Sequence, residues 1–131
     1  MDTNINREFY EQIIKQLELL IEYGHIYDMV YLIKKNDKLI GFEFITENEP
    51  TTIRSGEIAE HGTVLDLYVL AKSKLGINNY SAMIKAHRLN LGYTLQELAD
   101  KIDKTKQELN RWESGVKPSQ EIFDVIMMHL N

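Results

Sequence analysis

The feature that most constrains this chain is a pair of helix-start signals placed eleven residues apart in its C-terminal third. Thr94-Leu95-Gln96-Glu97 and Thr105-Lys106-Gln107-Glu108 both have the form of a capping box. In such a box the threonine hydroxyl and the glutamate carboxylate each accept a backbone N–H of the first helical turn. Ala99 lies between the two boxes, and its small side chain permits the two helices to cross closely. The spacing therefore predicts two short helices joined by a tight turn at Asp103-Lys104.

Two further helices are expected to flank this pair. The segment that follows Ser81 has a helical pattern, with Ser81 as its predicted N-cap and Gly92 as a left-handed terminator. After Gly115, the residues Pro118-Ser119 lead into an amphipathic pattern that continues to Leu130. The C-terminal part is thus expected to fold as four helices.

The N-terminal part has a different pattern. Residues 7–23 carry apolar side chains at three- and four-residue intervals, which predicts an amphipathic helix. Met29–Lys34 and Leu39–Ile45 are β-rich and flank a polar turn, which predicts a hairpin. Residues 63–75 are almost continuously apolar, so a buried helix and a buried third strand fit nearly equally well. The basic residues before Gly76 favour the helix slightly.

Charge divides the chain in the same way. Residues 1–76 hold 8 Lys and Arg against 13 Asp and Glu, whereas residues 77–131 hold 7 of each, so the whole net charge of −5 lies in the first part. We therefore expect an α+β fold with two parts. Residues 1–76 form a helix and β-hairpin module for dimerisation or partner binding, and residues 77–131 form a four-helix domain.

Composition excludes several kinds of function. The absence of cysteine excludes disulfides, thiolate nucleophiles and cysteine zinc sites, and it fits a reducing cytoplasm. No apolar run reaches the length of a membrane span, and the first residues lack the pattern of a signal peptide, so a cytoplasmic location is expected. The four histidines lack metal-ligand spacing, and Glu57 and Glu60 near His61 are interpreted as solvated loop residues. We expect no metal, no cofactor and no enzymatic activity.

Three stretches together resemble the lambda-repressor-like, XRE-type helix-turn-helix family. They are residues 84–94, Glu97-Leu98-Ala99 and Leu109-Asn110-Arg111-Trp112-Glu113-Ser114-Gly115. The resemblance implies that the helix after the second capping box is the recognition helix and lies in the major groove of double-stranded DNA. The DNA-facing residues that it implies are Thr94, Thr105, Lys106, Gln107, Asn110, Arg111 and Lys117. Among these types, Gln and Asn can read adenine, and Arg can read guanine or bind phosphate.

The resemblance also implies a structural ion pair between Arg88, late in the first helix of the domain, and Glu113, at the end of the recognition helix. Trp112, next to Glu113, is expected to be a core residue. The family usually has a fifth helix that often supplies the dimer interface, and the sequence shows four. A homodimer formed through residues 1–76 is therefore expected.

These features favour a sequence-specific DNA-binding transcription regulator, a repressor, that reads the major groove with residues 105–114. The alternative is an antitoxin, or an inhibitor encoded by a phage or mobile element. In that case the acidic N-terminal module would bind a protein partner, such as a toxin, while the C-terminal domain would autoregulate the operon.

Overall fold

The computed structural model describes residues 3–44 and 56–130. Within these ranges the chain forms six helices and one three-stranded antiparallel sheet, in an α+β arrangement that confirms the expected fold class. The elements are α1 (Thr3–Glu22), β1 (Met29–Lys35), β2 (Lys38–Phe44), β3 (Glu57–Thr63), α2 (Val64–Lys74), α3 (Asn79–Leu91), α4 (Leu95–Lys101), α5 (Lys106–Ser114) and α6 (Gln120–Leu130).

The predicted first helix and hairpin are both present. Helix α1 begins at Thr3, four residues earlier than predicted, and ends before Gly24, whose φ of +90° suits glycine. Strands β1 and β2 are joined by the two-residue turn Asn36-Asp37, whose φ angles of +54° and +61° are those of a type I′ turn. Such a turn matches the right-handed twist of the strands. Ile45, assigned to the second strand from sequence, lies outside the described residues.

The third strand was not predicted. The sheet order is β2-β1-β3, so β1 is central and β3 pairs antiparallel with it. Glu57, Glu60 and His61 lie on β3, so their interpretation as loop residues was wrong, although all three are solvent-exposed. Only Gly62 on this strand is buried, and a strand without an apolar face has no period-two signal in its sequence.

The ambiguous apolar segment is a helix. Helix α2 starts after Thr63, whose Oγ1 accepts the N–H of Asp66 at 3.0 Å while the Asp66 carboxylate accepts the N–H of Thr63 at 3.0 Å. This is a third capping box, with aspartate in place of glutamate. It could have been recognised in the sequence, and it would have decided between helix and strand.

Two hydrophobic clusters share helix α3. The N-terminal cluster joins α1, β1 and α2 and includes Ala82 and Ala86 of α3. The C-terminal cluster is formed by Ile84 of α3 with the inward side chains of α4, α5 and α6. All three of these α3 side chains are at most 1% exposed. The domain boundary at residue 76 stays a prediction. Helix α3, which follows that boundary, contributes side chains to both hydrophobic clusters.

Candidate nucleic-acid interface

Both predicted capping boxes are formed, and they set the starts of α4 and α5. Thr94 Oγ1 accepts the N–H of Glu97 at 3.1 Å, and Thr105 Oγ1 accepts the N–H of Glu108 at 3.1 Å. The two glutamates accept the threonine N–H groups in return, at 2.9 and 3.2 Å. Because these hydrogen bonds favour the charged carboxylates, they lower the pKa of both Glu97 and Glu108.

Helix α5 has one buried side and one exposed side. Leu109, Trp112 and Glu113 face inward, and Trp112 is only 9% exposed, so its predicted place in the core is confirmed. Ala99 of α4 is completely buried, in agreement with close packing of the helices around it. The opposite side of α5 presents Lys106, Gln107, Asn110 and Arg111 to solvent.

This exposed side carries no free carboxylate. Glu108 is half-buried, and its Oε1 accepts hydrogen bonds from the backbone N–H and the hydroxyl of Thr105. The acidic group of the helix is thereby directed back towards its own N-terminus. The exposed side therefore offers a ligand two cations, Lys106 and Arg111, and two amides, Gln107 and Asn110. These groups are suited to phosphates and base edges.

The remaining predicted DNA-facing residues are exposed as well. Thr94 and Thr105 stand at the N-termini of α4 and α5, and Lys117 lies in the connection between α5 and α6. Residues 101–117 contain 5 Lys and Arg against 3 Asp and Glu, and one of those acids is the buried Glu113. The neutral C-terminal part therefore concentrates its positive charge around α5.

The ion pair between Arg88 and Glu113 is present and buried. Arg88 Nε donates to Glu113 Oε2 at 2.6 Å, and Nη2 donates to Oε1 at 2.8 Å. The third donor, Nη1, reaches the carbonyl of Tyr93 at 2.8 Å. The bidentate pair joins α3 to the C-terminal end of α5, and the Tyr93 contact adds the segment that precedes α4.

One capping assignment was wrong. Helix α3 starts at Asn79 and is capped by Asn78, whose Oδ1 accepts the N–H of Ser81 at 2.9 Å. Ser81, the cap predicted from sequence, lies in the first turn and is completely buried. Asparagine and serine cap helices equally well, so their preferences alone could not locate the start. The Asn78 side chain also donates through Nδ2 to the carbonyl of Gly115 at 2.9 Å, a contact that the sequence did not indicate.

Comparison with known proteins agrees with this geometry. Residues 84–131 match the family described as Helix-turn-helix, and the match begins within α3 and includes α4 and α5. No curated protein and no solved structure gives a significant match to the chain. The resemblance of the C-terminal segment to the XRE-type, lambda-repressor-like family is thus confirmed. In that family the helix-turn-helix is a DNA-binding regulatory domain, not a catalytic one, and the match supports a DNA-binding regulator of the XRE type.

Among residues 3–44 and 56–130, no helix is both long and apolar enough to cross a membrane. In the same part of the chain, no three His, Cys, Asp or Glu side chains are grouped so that they could hold a metal ion.

Proposed function

We propose that the protein is a sequence-specific transcription regulator, a repressor, that places α5 in the major groove of double-stranded DNA. The observation that carries this proposal is the composition of the exposed side of α5. It presents cations and amides, while the carboxylate of Glu108 is engaged in the cap. An α-helix fits into the major groove, where each base pair presents a distinct pattern of hydrogen-bond donors and acceptors.

The proposed DNA contacts are of two kinds: residues that read base edges, called readers, and residues that bind the phosphate backbone, called anchors. Gln107 and Asn110 supply amides that can bind adenine bidentately, and Arg111 supplies a guanidinium for guanine or phosphate. Lys106 and Lys117 are point charges suited to phosphates, and the exposed Thr94 and Thr105 are further proposed DNA contacts at the starts of α4 and α5. The anchors set affinity and orientation, whereas the readers set sequence preference.

The test uses a duplex selected from a random DNA pool by the wild-type protein. Substitution of a base-reading residue, as in Asn110→Ala or Arg111→Ala, should weaken specific binding by about 1–3 kcal/mol and relax the preference at one position. Lys15→Ala removes an exposed cation from α1 and is the matched control, for which wild-type binding is expected. Wild-type affinity and specificity in the Gln107, Asn110 and Arg111 variants together would refute the assignment.

We further propose that the protein acts as a homodimer in the cytoplasm, with residues 1–76 forming the dimerisation module. One recognition helix contacts only a half-site, and two half-sites one helical turn apart require two copies. Within the described residues, seven of the eleven exposed large hydrophobic side chains belong to this module. They are Leu19, Tyr23, Tyr27, Met29, Ile40, Phe44 and Ile58. Covering some of them in a dimer would remove apolar surface from water.

An alternative use of the same module is to bind a different protein, as in an antitoxin or a phage-encoded inhibitor. The observation in its favour is charge, because the net −5 of residues 1–76 suits a basic partner. Light scattering on the full-length protein distinguishes the two proposals. A dimer at about micromolar concentration supports pairing through this module, particularly if Tyr23→Glu makes the protein monomeric. A monomer would favour a separate protein partner.

A further inference from the structure

An aromatic stack between α3 and α6 lies beside the connection between α5 and α6. The ring of Tyr80, in the first turn of α3, lies flat against Phe123 of α6, with 4.0 Å between centroids and 12° between planes. The ammonium of Lys117 lies 4.9 Å from the centroid of the Tyr80 ring. Because Phe123 occupies one face of that ring, the cation lies over the other. The Tyr80 hydroxyl also donates to Gln120 Oε1 at the start of α6.

A second contact holds the same connection at its beginning. Asn78 Nδ2 donates to the carbonyl of Gly115, the residue that follows α5 and has a φ of +130°. Asn78 and Tyr80 both precede residue 84, where the match to the helix-turn-helix family begins. Residues that precede the matched region thus contact the chain just after α5.

We propose that Tyr80 is a positioning residue that holds the ammonium of Lys117 in place for a DNA phosphate. This inference rests on the proposed DNA-binding function. An exposed lysine loses the freedom of a flexible four-carbon stem when it binds a phosphate. The cation–π contact with Tyr80 orders that stem before binding, so less entropy is lost on DNA. Lys117 as a whole is exposed, and an ammonium has three donors, so those directed away from the ring stay available.

The test is a double-mutant cycle on the selected duplex. Tyr80→Leu keeps apolar contact with Phe123 but removes the π face, whereas Tyr80→Phe keeps the ring and removes only the hydroxyl. We expect Tyr80→Leu to weaken DNA binding about two- to fivefold, the factor expected for an exposed cation–π contact, and Tyr80→Phe to retain wild-type affinity. Lys117→Met should weaken binding and reduce the slope of log Kobs against log salt by about 1.

The decisive comparison is Tyr80→Leu in the Lys117→Met background. If Tyr80 acts through Lys117, its substitution should have no further effect there, whereas a purely structural role would give the same fold-loss in both backgrounds. Equal losses, or wild-type affinity for Tyr80→Leu, would overturn the proposal. Trp112 fluorescence checks that each variant remains folded.

A measurement without DNA separates this inference from the proposed function. The methylene protons next to the Lys117 ammonium should show upfield-shifted NMR resonances in the wild type and in Tyr80→Phe, because the ammonium that they adjoin lies over the Tyr80 ring. Tyr80→Leu should abolish the shift. Absence of the shift in the wild type would overturn the positioning role even if DNA binds. If the shift is present but the protein binds no DNA duplex, the proposed function is overturned, and with it the proposal that Tyr80 positions Lys117 for a phosphate.

Discussion

The ion pair between Arg88 and Glu113 gives the sharpest stability prediction. The two side chains are 10% and 4% exposed, and two short hydrogen bonds join them. In Glu113→Ala, the guanidinium would stay buried with only the Tyr93 carbonyl as a partner. Removing one member of a buried pair costs about 3–5 kcal/mol, because an uncompensated charge remains in a poorly solvated site. That is a large share of the roughly 5–15 kcal/mol that stabilises a typical domain.

The assay is equilibrium urea unfolding followed by fluorescence. Trp112 is the single tryptophan of the chain and lies in the C-terminal cluster, so its emission reports on the structure around α5. Arg88→Ala should give a loss similar to that of Glu113→Ala. Replacing both partners, as in Arg88→Met with Glu113→Leu, should recover most of the stability, because neither buried charge then remains.

A matched control is available on α1. Arg7 and Glu11 form an ion pair at 3.3 Å, but both side chains are more than half exposed. Arg7→Ala should therefore cost only about 0–1 kcal/mol. Wild-type unfolding free energies in Glu113→Ala and Arg88→Ala, or losses no larger than that of Arg7→Ala, would refute the reasoning about this pair.

Two further predictions concern α3. Glu18 of α1 accepts the hydroxyl of Tyr68 at 2.7 Å and lies 3.3 Å from Lys85 Nζ, so Glu18→Gln should lower the urea midpoint measured at Trp112. An unchanged midpoint would contradict this prediction. Burial lowers the pKa of His87 below its ordinary value of 6.5, so on acidification the unfolded state becomes protonated before the folded state does. Stability should therefore fall as pH drops below about 6.5, towards the folded pKa, and His87→Gln should reduce this fall. Thermal melts of both proteins between about pH 7 and 5 are the check, and identical pH dependence would contradict it.

The fold of the C-terminal part is predictable from the sequence because its signals are local. A capping box needs only four consecutive residues, and Gly92 ends α3 in the left-handed conformation expected of it. The hairpin also follows from a local signal, the polar turn at Asn36-Asp37. The resemblance to a helix-turn-helix then supplied the pairing of Arg88 with Glu113, which no local pattern could indicate.

The features that were missed depend on tertiary structure. Strand β3 is an exposed edge strand, held by its pairing with β1 and not by a buried face of its own. The sharing of α3 between two clusters requires Ala82 and Ile84 to face different neighbours, which a single amphipathic stripe does not predict. The contacts of Asn78 with Gly115 and of Tyr80 with Lys117 join residues 37 positions apart in the chain.

Sequence-specific DNA binding through α5 is the central function proposed for this protein. The most direct measurement is selection from a random duplex pool by the full-length protein, with Gln107→Ala/Asn110→Ala/Arg111→Ala as the parallel sample. We expect the wild type to enrich a defined motif, with two related half-sites about one helical turn apart if it binds as a dimer. The triple variant should enrich none, because the exposed side of α5 would have lost its base-reading groups. No enrichment by the wild type, or the same motif from the triple variant, would contradict the account.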